Sequence, residues 1–204
     1  MLTTLASVKA RLALDDSDVR SDALLTNFIA LATARFENDC NRKFGYLQNA
    51  MDEFQGDETE LRVSRYPIDE TQPITFQRLT SHNSQLSTAS GWQPVPEADF
   101  VLRRGCVISL VSEIGRWKDQ IRITYSGGYL LPDAVGPVPP PGVPPLPDDL
   151  QFGAVEQIAY WYQNKDRLGL VAVTAEGGSL QQFPKLDLLP FVDYTLAKYE
   201  RWMV

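Results

Sequence analysis

The chain has 204 residues, 44% of them hydrophobic and 22% charged, which excludes wholesale disorder and suffices for a core without staples. Nineteen Lys and Arg against 26 Asp and Glu give a net charge of −7, so tight phosphate-driven binding to nucleic acid is not expected. No apolar run approaches the roughly 18 residues of a membrane span.

The opening, Met1-Leu2-Thr3-Thr4-Leu5, lacks the basic stretch and apolar core of a signal peptide, and the expectation is a soluble protein retained where it is made. Residues 1–46 read as two helices. Thr3 or Thr4 caps a short one with Leu5, Val8 and Leu12 on one face. Asp15-Asp16-Ser17-Asp18 interrupts it. A longer helix then runs from about Asp22 to Cys40, with Leu25, Phe28, Ile29, Ala32 and Phe36 as its apolar face and Leu24 and Leu31 widening it.

Over residues 47–135 the period shortens. Glu53-Phe54, Leu61 to Val63, Ile74 to Phe76, Phe100 to Leu102, Cys106 to Val111 and Gln120 to Tyr125 predict short antiparallel strands. Ser126-Gly127-Gly128 supplies turn chemistry after the last, and Thr80 to Ser90 reads as a polar loop. Residues 136–147 contain seven prolines and predict an extended linker, read either as a spacer or as an SH3-type ligand. Residues 148–204 return to helix. Asp148-Asp149 opens one running to about Arg167, with Phe152, Val155, Ala159 and Tyr162 on one face and Ile158 and Trp161 broadening it. Gly169 to Gln182 reads as loop with a potential hairpin. A last helix starts near Leu188, with Val192, Leu196, Tyr199 and Met203 as its stripe. The pattern predicts an α+β protein: a bundle of about four helices with a small antiparallel β domain inserted.

The chemistry-bearing residues are sparse. Cys40 and Cys106 make neither a disulfide framework nor a cysteine zinc site, and both read as small buried hydrophobes. His82 is the single histidine. The Asp16-x-Asp18-x-Arg20-x-Asp22 run fails as a calcium loop, with Ser21 where glycine belongs and Asn27 where a bidentate glutamate belongs. Gly177-Gly178-Ser179 lacks the spacing of a phosphate loop. No catalytic, cofactor-binding or metal-binding residue is assigned. A small carboxylate-based hydrolase stays as an alternative if two of Asp52, Glu53, Glu97 and Asp99 converge across a cleft, about 5–9 Å apart. Aromatics crowd the two C-terminal helices, more than one face of each buries, which points to an interface.

The order of the pieces resembles the head–tail connector (adaptor) proteins of long-tailed bacteriophages. Three patterns carry the likeness. The first is Leu2-Thr3-Thr4-Leu5-Ala6-Ser7-Val8-Lys9, an acidic break, Asp22-Ala23-Leu24-Leu25, and Cys40-Asn41-Arg42-Lys43-Phe44. The second is Tyr66-Pro67-Ile68 ahead of a β segment. The third is Ile123-Thr124-Tyr125-Ser126-Gly127-Gly128-Tyr129, a proline segment, then Leu146-Pro147-Asp148-Asp149-Leu150.

The resemblance implies a non-enzymatic virion protein without cofactors, assembled in the host cytoplasm. It implies a ring, usually of twelve copies, beneath the portal, extending the DNA channel during packaging and ejection. The implied partners are portal, neighbouring copies, the next neck or tail protein, and passing duplex DNA without sequence recognition. A portal contact is expected on the C-terminal segment, at Phe191, Tyr194, Leu196, Tyr199, Trp202 and Met203. Another neck or tail completion or stopper protein is the alternative within the same class.

Overall fold

The computed structural model describes residues 1–79, 91–95, 99–114, 119–133, 141–167, 172–174, 180–182 and 187–201. The chain is mixed α+β and divides into two compact units. One comprises Met1–Cys40, Leu131–Gly136 and Leu146–Glu200; the other comprises Asn41–Leu130, Pro137–Pro145 and Arg201–Val204. The expected loop over Thr80 to Ser90, His82 and Gly177-Gly178-Ser179 lie outside the described residues.

The first unit holds the helices. Helix α1 (Leu5–Arg11) starts at Thr4, whose hydroxyl accepts the Ser7 N–H at 3.2 Å, and ends with Lys9 and Arg11 at the negative end of its dipole. Lys9 is buried. Its ammonium pairs with Asp22 at 2.6 Å and donates to the Asp16 carbonyl at 3.1 Å, so the acidic break is tied to both helices. Helix α2 (Asp22–Asp39) buries Leu25, Phe28, Ile29, Ala32 and Phe36, the face its spacing predicts.

Helix α3 (Asp148–Gln163) turns differently from expectation. Ala159, Ile158 and Trp161 are buried as expected, but they are joined on the inner side by Leu150, Gly153, Ala154 and Gln157, whereas Phe152 is 58% exposed and Val155 and Tyr162 are half-buried. The cause is close packing. A Cβ on Gly153 would lie 3.8 Å from Val192 and 3.9 Å from Phe36, so the small-residue side of α3 is where its neighbours approach. Helix α4 (Pro190–Ala197) begins with proline in its first turn and buries Val192 and Leu196. The Gln157 amide, fully buried, accepts the Leu189 N–H at 2.7 Å and donates to the Asp187 carbonyl at 3.4 Å, holding the entry to α4 on α3.

Among the described residues the second unit holds seven strands: β1 (Leu47–Gln55), β2 (Glu60–Arg62), β3 (Thr75–Leu79), β4 (Trp92–Pro94), β5 (Phe100–Arg103), β6 (Val107–Leu110) and β7 (Gln120–Gly127). They form two antiparallel sheets, ordered β1-β7-β3-β4 and β2-β6-β5. Both sheets feed one core, which includes Leu61, Phe76, Ile108, Ile121, Ile123 and Tyr125. Strand β7 continues through Gly127, so the turn begins at Gly128 and not at Ser126. Strand β4 was not expected from its sequence; Pro94 fits there because β4 is an edge. Part of the proline segment is described: Leu130 bridges Pro145 in parallel and donates to the Pro144 carbonyl at 2.8 Å. Cys40 is buried as expected; Cys106 is only half-buried, in the turn between β5 and β6. A separate hairpin pairs β8 (Ala172–Thr174) with β9 (Leu180–Gln182).

One buried polar knot ties the β unit together. The Tyr125 hydroxyl donates to Asp52 at 2.7 Å and accepts the Arg65 N–H at 2.9 Å, while the Ser64 hydroxyl donates to Asp52 at 2.7 Å. Burial, and then the Asp52 charge, raise the Tyr125 phenol well above its ordinary value. The folded protein therefore keeps this proton to higher pH than the unfolded chain, where tyrosine titrates near about 10. The stability it contributes is complete below about pH 10 and falls as pH rises toward the folded value. Urea unfolding from about pH 8 to 11 should show that decline, and Tyr125→Phe should flatten it while costing about 1–2 kcal/mol at neutral pH. An equally steep decline in the variant contradicts this account.

Candidate functional site

The outer side of α4 carries an aromatic surface. With Val192 and Leu196 turned inward one helical turn apart, Phe191 and Tyr194 must face outward, and they are 43% and 72% exposed. Phe152 of α3 joins them. Its ring centroid lies 6.1 Å from that of Phe191 at a tilt of 49°, so two helices build one apolar patch. Charged groups rim it. The Lys198 ammonium sits 5.3 Å from the Tyr194 ring and 3.9 Å from the Asp149 carboxylate, which also accepts the Tyr199 hydroxyl at 2.7 Å.

Of the six expected contact residues, Phe191 and Tyr194 are thus on the surface, Leu196 is in the core and Tyr199 is half-buried against α3. Trp202 and Met203 lie outside the described residues. Phe152 was missed because its bulk and spacing assign it to the core; no local signal separates a buried phenylalanine from an exposed one.

Among the described carboxylates of the alternative hydrolase reading, Asp52 and Glu53 do not face one another as an acid–base pair. Asp52 and Glu53 are successive residues of β1 and so project to opposite faces. Asp52 is held in the knot with Ser64 and Tyr125, whereas Glu53 pairs with Arg122 at 2.7 Å, whose guanidinium stacks 4.0 Å from the Trp92 ring. Asp99 lies just ahead of β5 and Glu97 is outside the described residues.

The acidic break is used locally. Asp15 accepts the Ser17 hydroxyl and N–H at 2.6 and 2.8 Å, which lowers its pKa, and the Arg20 donors hold Asp18 far below the usual carboxylate range. Among the described residues no group of three or more His, Cys, Asp or Glu is placed to hold a metal ion.

No family model matches the sequence, and no curated protein matches it. Solved structures do match. One is a chain described as "Neck of empty GTA particle computed with C6 symmetry", with a TM-score of 0.55 at 14% identity, over 98% of this chain and 89% of that one. The likeness is one of fold. It takes in both units, the helices and the β sheets alike, and leaves little of either chain unmatched.

Proposed function

We propose that this chain is a structural protein of the neck of a phage-like particle, acting as an adaptor ring between portal and tail. The observation that carries this reading is the fold match to a neck chain over 98% of the present sequence. The order of sequence patterns from Leu2 to Leu150 supports it independently. On this reading the helices act as one bundle of about four, interrupted by the β domain, and the proline segment is the spacer that returns the chain to it.

The ring holds twelve copies, a number compatible with the sixfold symmetry in the neighbour's description. Each copy meets its neighbours through two different, complementary surfaces, as a closed heterologous ring requires. The protein works in the virion, at the head–tail junction, after assembly in the host cytoplasm. It catalyses nothing and needs no cofactor. Its net charge of −7 suits a channel wall that repels the DNA backbone and lets the genome slide past without sequence readout.

Portal meets the Phe152–Phe191–Tyr194 surface, where aromatic anchors supply about 2 kcal/mol or more each when fully desolvated. The test replaces Phe191 and Tyr194 together with serine. Both side chains lie on the outer side of α4, so the doubly substituted protein should stay folded, unfolding within a few degrees of the parent, and bind portal at least about 30-fold more weakly, read by surface plasmon resonance. Unchanged portal affinity would move the contact elsewhere.

A further inference from the structure

The second unit contains a feature that the neck assignment does not use. Strands β1 and β2 each form one edge of their sheets, and they follow one another in sequence through a turn at residues 56–59. Between them lies a cleft of about 830 Å³, lined by β1 from Asp52 to Gln55, by the turn, and by Glu60, Arg62 and Ser64.

The hydrogen bonds fix which peptide groups face this cleft. The Gly56 N–H donates to the Asp119 carbonyl on the β7 side at 2.9 Å, whereas the Gln55 N–H turns away and finds the Glu58 carboxylate at 3.3 Å. In an antiparallel ladder this alternation continues, so the peptide groups of Glu53, which lines the cleft, and of Met51, just beyond its end, also face away from β7. On β2, the Thr59 carbonyl and the Val63 N–H bond to the β6 side at 2.8 and 3.2 Å, which leaves Glu60 and Arg62 facing outward.

Side chains stand where a strand would lie. The Arg62 carbonyl accepts the Arg201 guanidinium at 3.3 Å, and the Ser64 N–H donates to the Asp52 carboxylate. The lining is acidic, with Asp52, Glu53, Asp57, Glu58 and Glu60 against Arg62 and Arg201; Glu53 also pairs with Arg122, and Glu60 lies 3.6 Å from Arg103. Half-buried Phe54 contributes an apolar patch.

We infer that this seam receives an extended basic segment of a partner protein, added as a strand along the open edge of β1. An edge strand with unpaired peptide groups is a template for another strand. The cleft selects the occupant by charge: lysines or arginines on one side of the incoming strand meet Glu53, and the small apolar residues alternating with them lie on the Asp52–Phe54 side. Arg201 already places a guanidinium in this setting, and an incoming strand displaces it from the Arg62 carbonyl. The inference rests on the β unit alone and stands or falls apart from the neck assignment.

The experiment uses the full chain and a short fluorescent peptide alternating lysine and valine, with a glutamate–valine peptide as control. Anisotropy should report binding of the lysine peptide only, weakening as salt rises. Amide hydrogen exchange should slow at Met51 and Glu53 when it binds. Glu53→Gln should weaken binding about threefold through lost charge. Glu53→Pro removes the same charge and also the outward N–H, which an edge strand tolerates, and should weaken binding about fivefold further.

Four outcomes would overturn the inference. One is no binding of the lysine peptide. A second is binding without protection at Met51 and Glu53, which reduces the seam to a charged surface. A third, equal binding by the Gln and Pro variants, has the same meaning. The last is protection that grows with protein concentration in the absence of peptide, which assigns the seam to a second copy of this chain. The exchange readout on the parent protein decides the matter even where the proline variant folds poorly.

Discussion

Replacing Gly128 with alanine is expected to destabilise the β unit by about 3 kcal/mol or more, among the larger effects of any single substitution in this chain. Two costs coincide there. Gly128 has φ +113°, a conformation that side-chain-bearing residues rarely adopt, and a Cβ would come within 2.6 Å of the Gly45 carbonyl oxygen and 2.8 Å of the Tyr46 Cα. Both of those atoms are backbone, and the surrounding chain is pinned. Gly128 N–H donates to the Pro67 carbonyl at 2.9 Å, Tyr129 N–H to the Phe44 carbonyl at 2.7 Å, and Tyr46 N–H to the Tyr129 carbonyl at 2.9 Å.

Making room for a methyl group would break these bonds or bend the exit of β7. Gly142 is the natural control. It has φ +105° but nothing within 4 Å of its missing Cβ, so Gly142→Ala should cost only the backbone term, about 1 kcal/mol. Urea unfolding of the two variants measures the difference. Equal destabilisation would mean that the close approach to Gly45 contributes nothing.

Removing residues 186–204 is expected to destabilise the helical unit by about 3–5 kcal/mol. Val192 and Leu196 are buried on the inner side of α4, at 0% and 3% exposure, and burying side chains of this kind contributes about 1.5–3 kcal/mol each. The same truncation uncovers the Gly153 side of α3 and leaves the buried Gln157 amide without the Leu189 N–H and the Asp187 carbonyl. It also deprives the Cys40 thiol of the Leu196 carbonyl, to which it donates at 3.5 Å. Leu196→Asp should reproduce much of the effect by placing a charge in the same packing. A truncated chain that unfolds at the parent's denaturant midpoint would contradict this. The packing of α4 also explains why deletion is a poor probe of portal binding: it removes core and candidate contact surface together, whereas substitutions at Phe191 and Tyr194 touch only the outside.

The readable parts of this sequence are those in which one residue's burial follows from its own chemistry and spacing. Leu25, Phe28, Ile29, Ala32 and Phe36 recur at helical intervals and are all buried. Ile121, Ile123 and Tyr125 alternate and are all in the β core. Helix α3 misleads because large side chains dominate any hydrophobic count. Its inner face is instead chosen by Gly153 and Ala154, whose smallness lets neighbouring helices approach.

Strand β1 runs from Leu47 to Gln55, yet only Glu53-Phe54 reads as strand. An edge strand buried chiefly at Ala50 has little alternation to show and is held by pairing with β7. The aromatic patch and the acidic seam are both non-local. Phe152 meets Phe191 only because α4 packs on α3, and the seam exists only because both sheet orders leave β1 and β2 outermost.

The proposed assembly of this chain as a ring on a portal is tested most directly by native mass spectrometry. The protein would be measured alone, and again after mixing with the portal ring of the same particle. The account predicts a low-order species alone and, with portal, one complex carrying a full complement of copies, close to twelve. A stable closed dimer that persists unchanged when portal is added, with no portal-bound species, would contradict it.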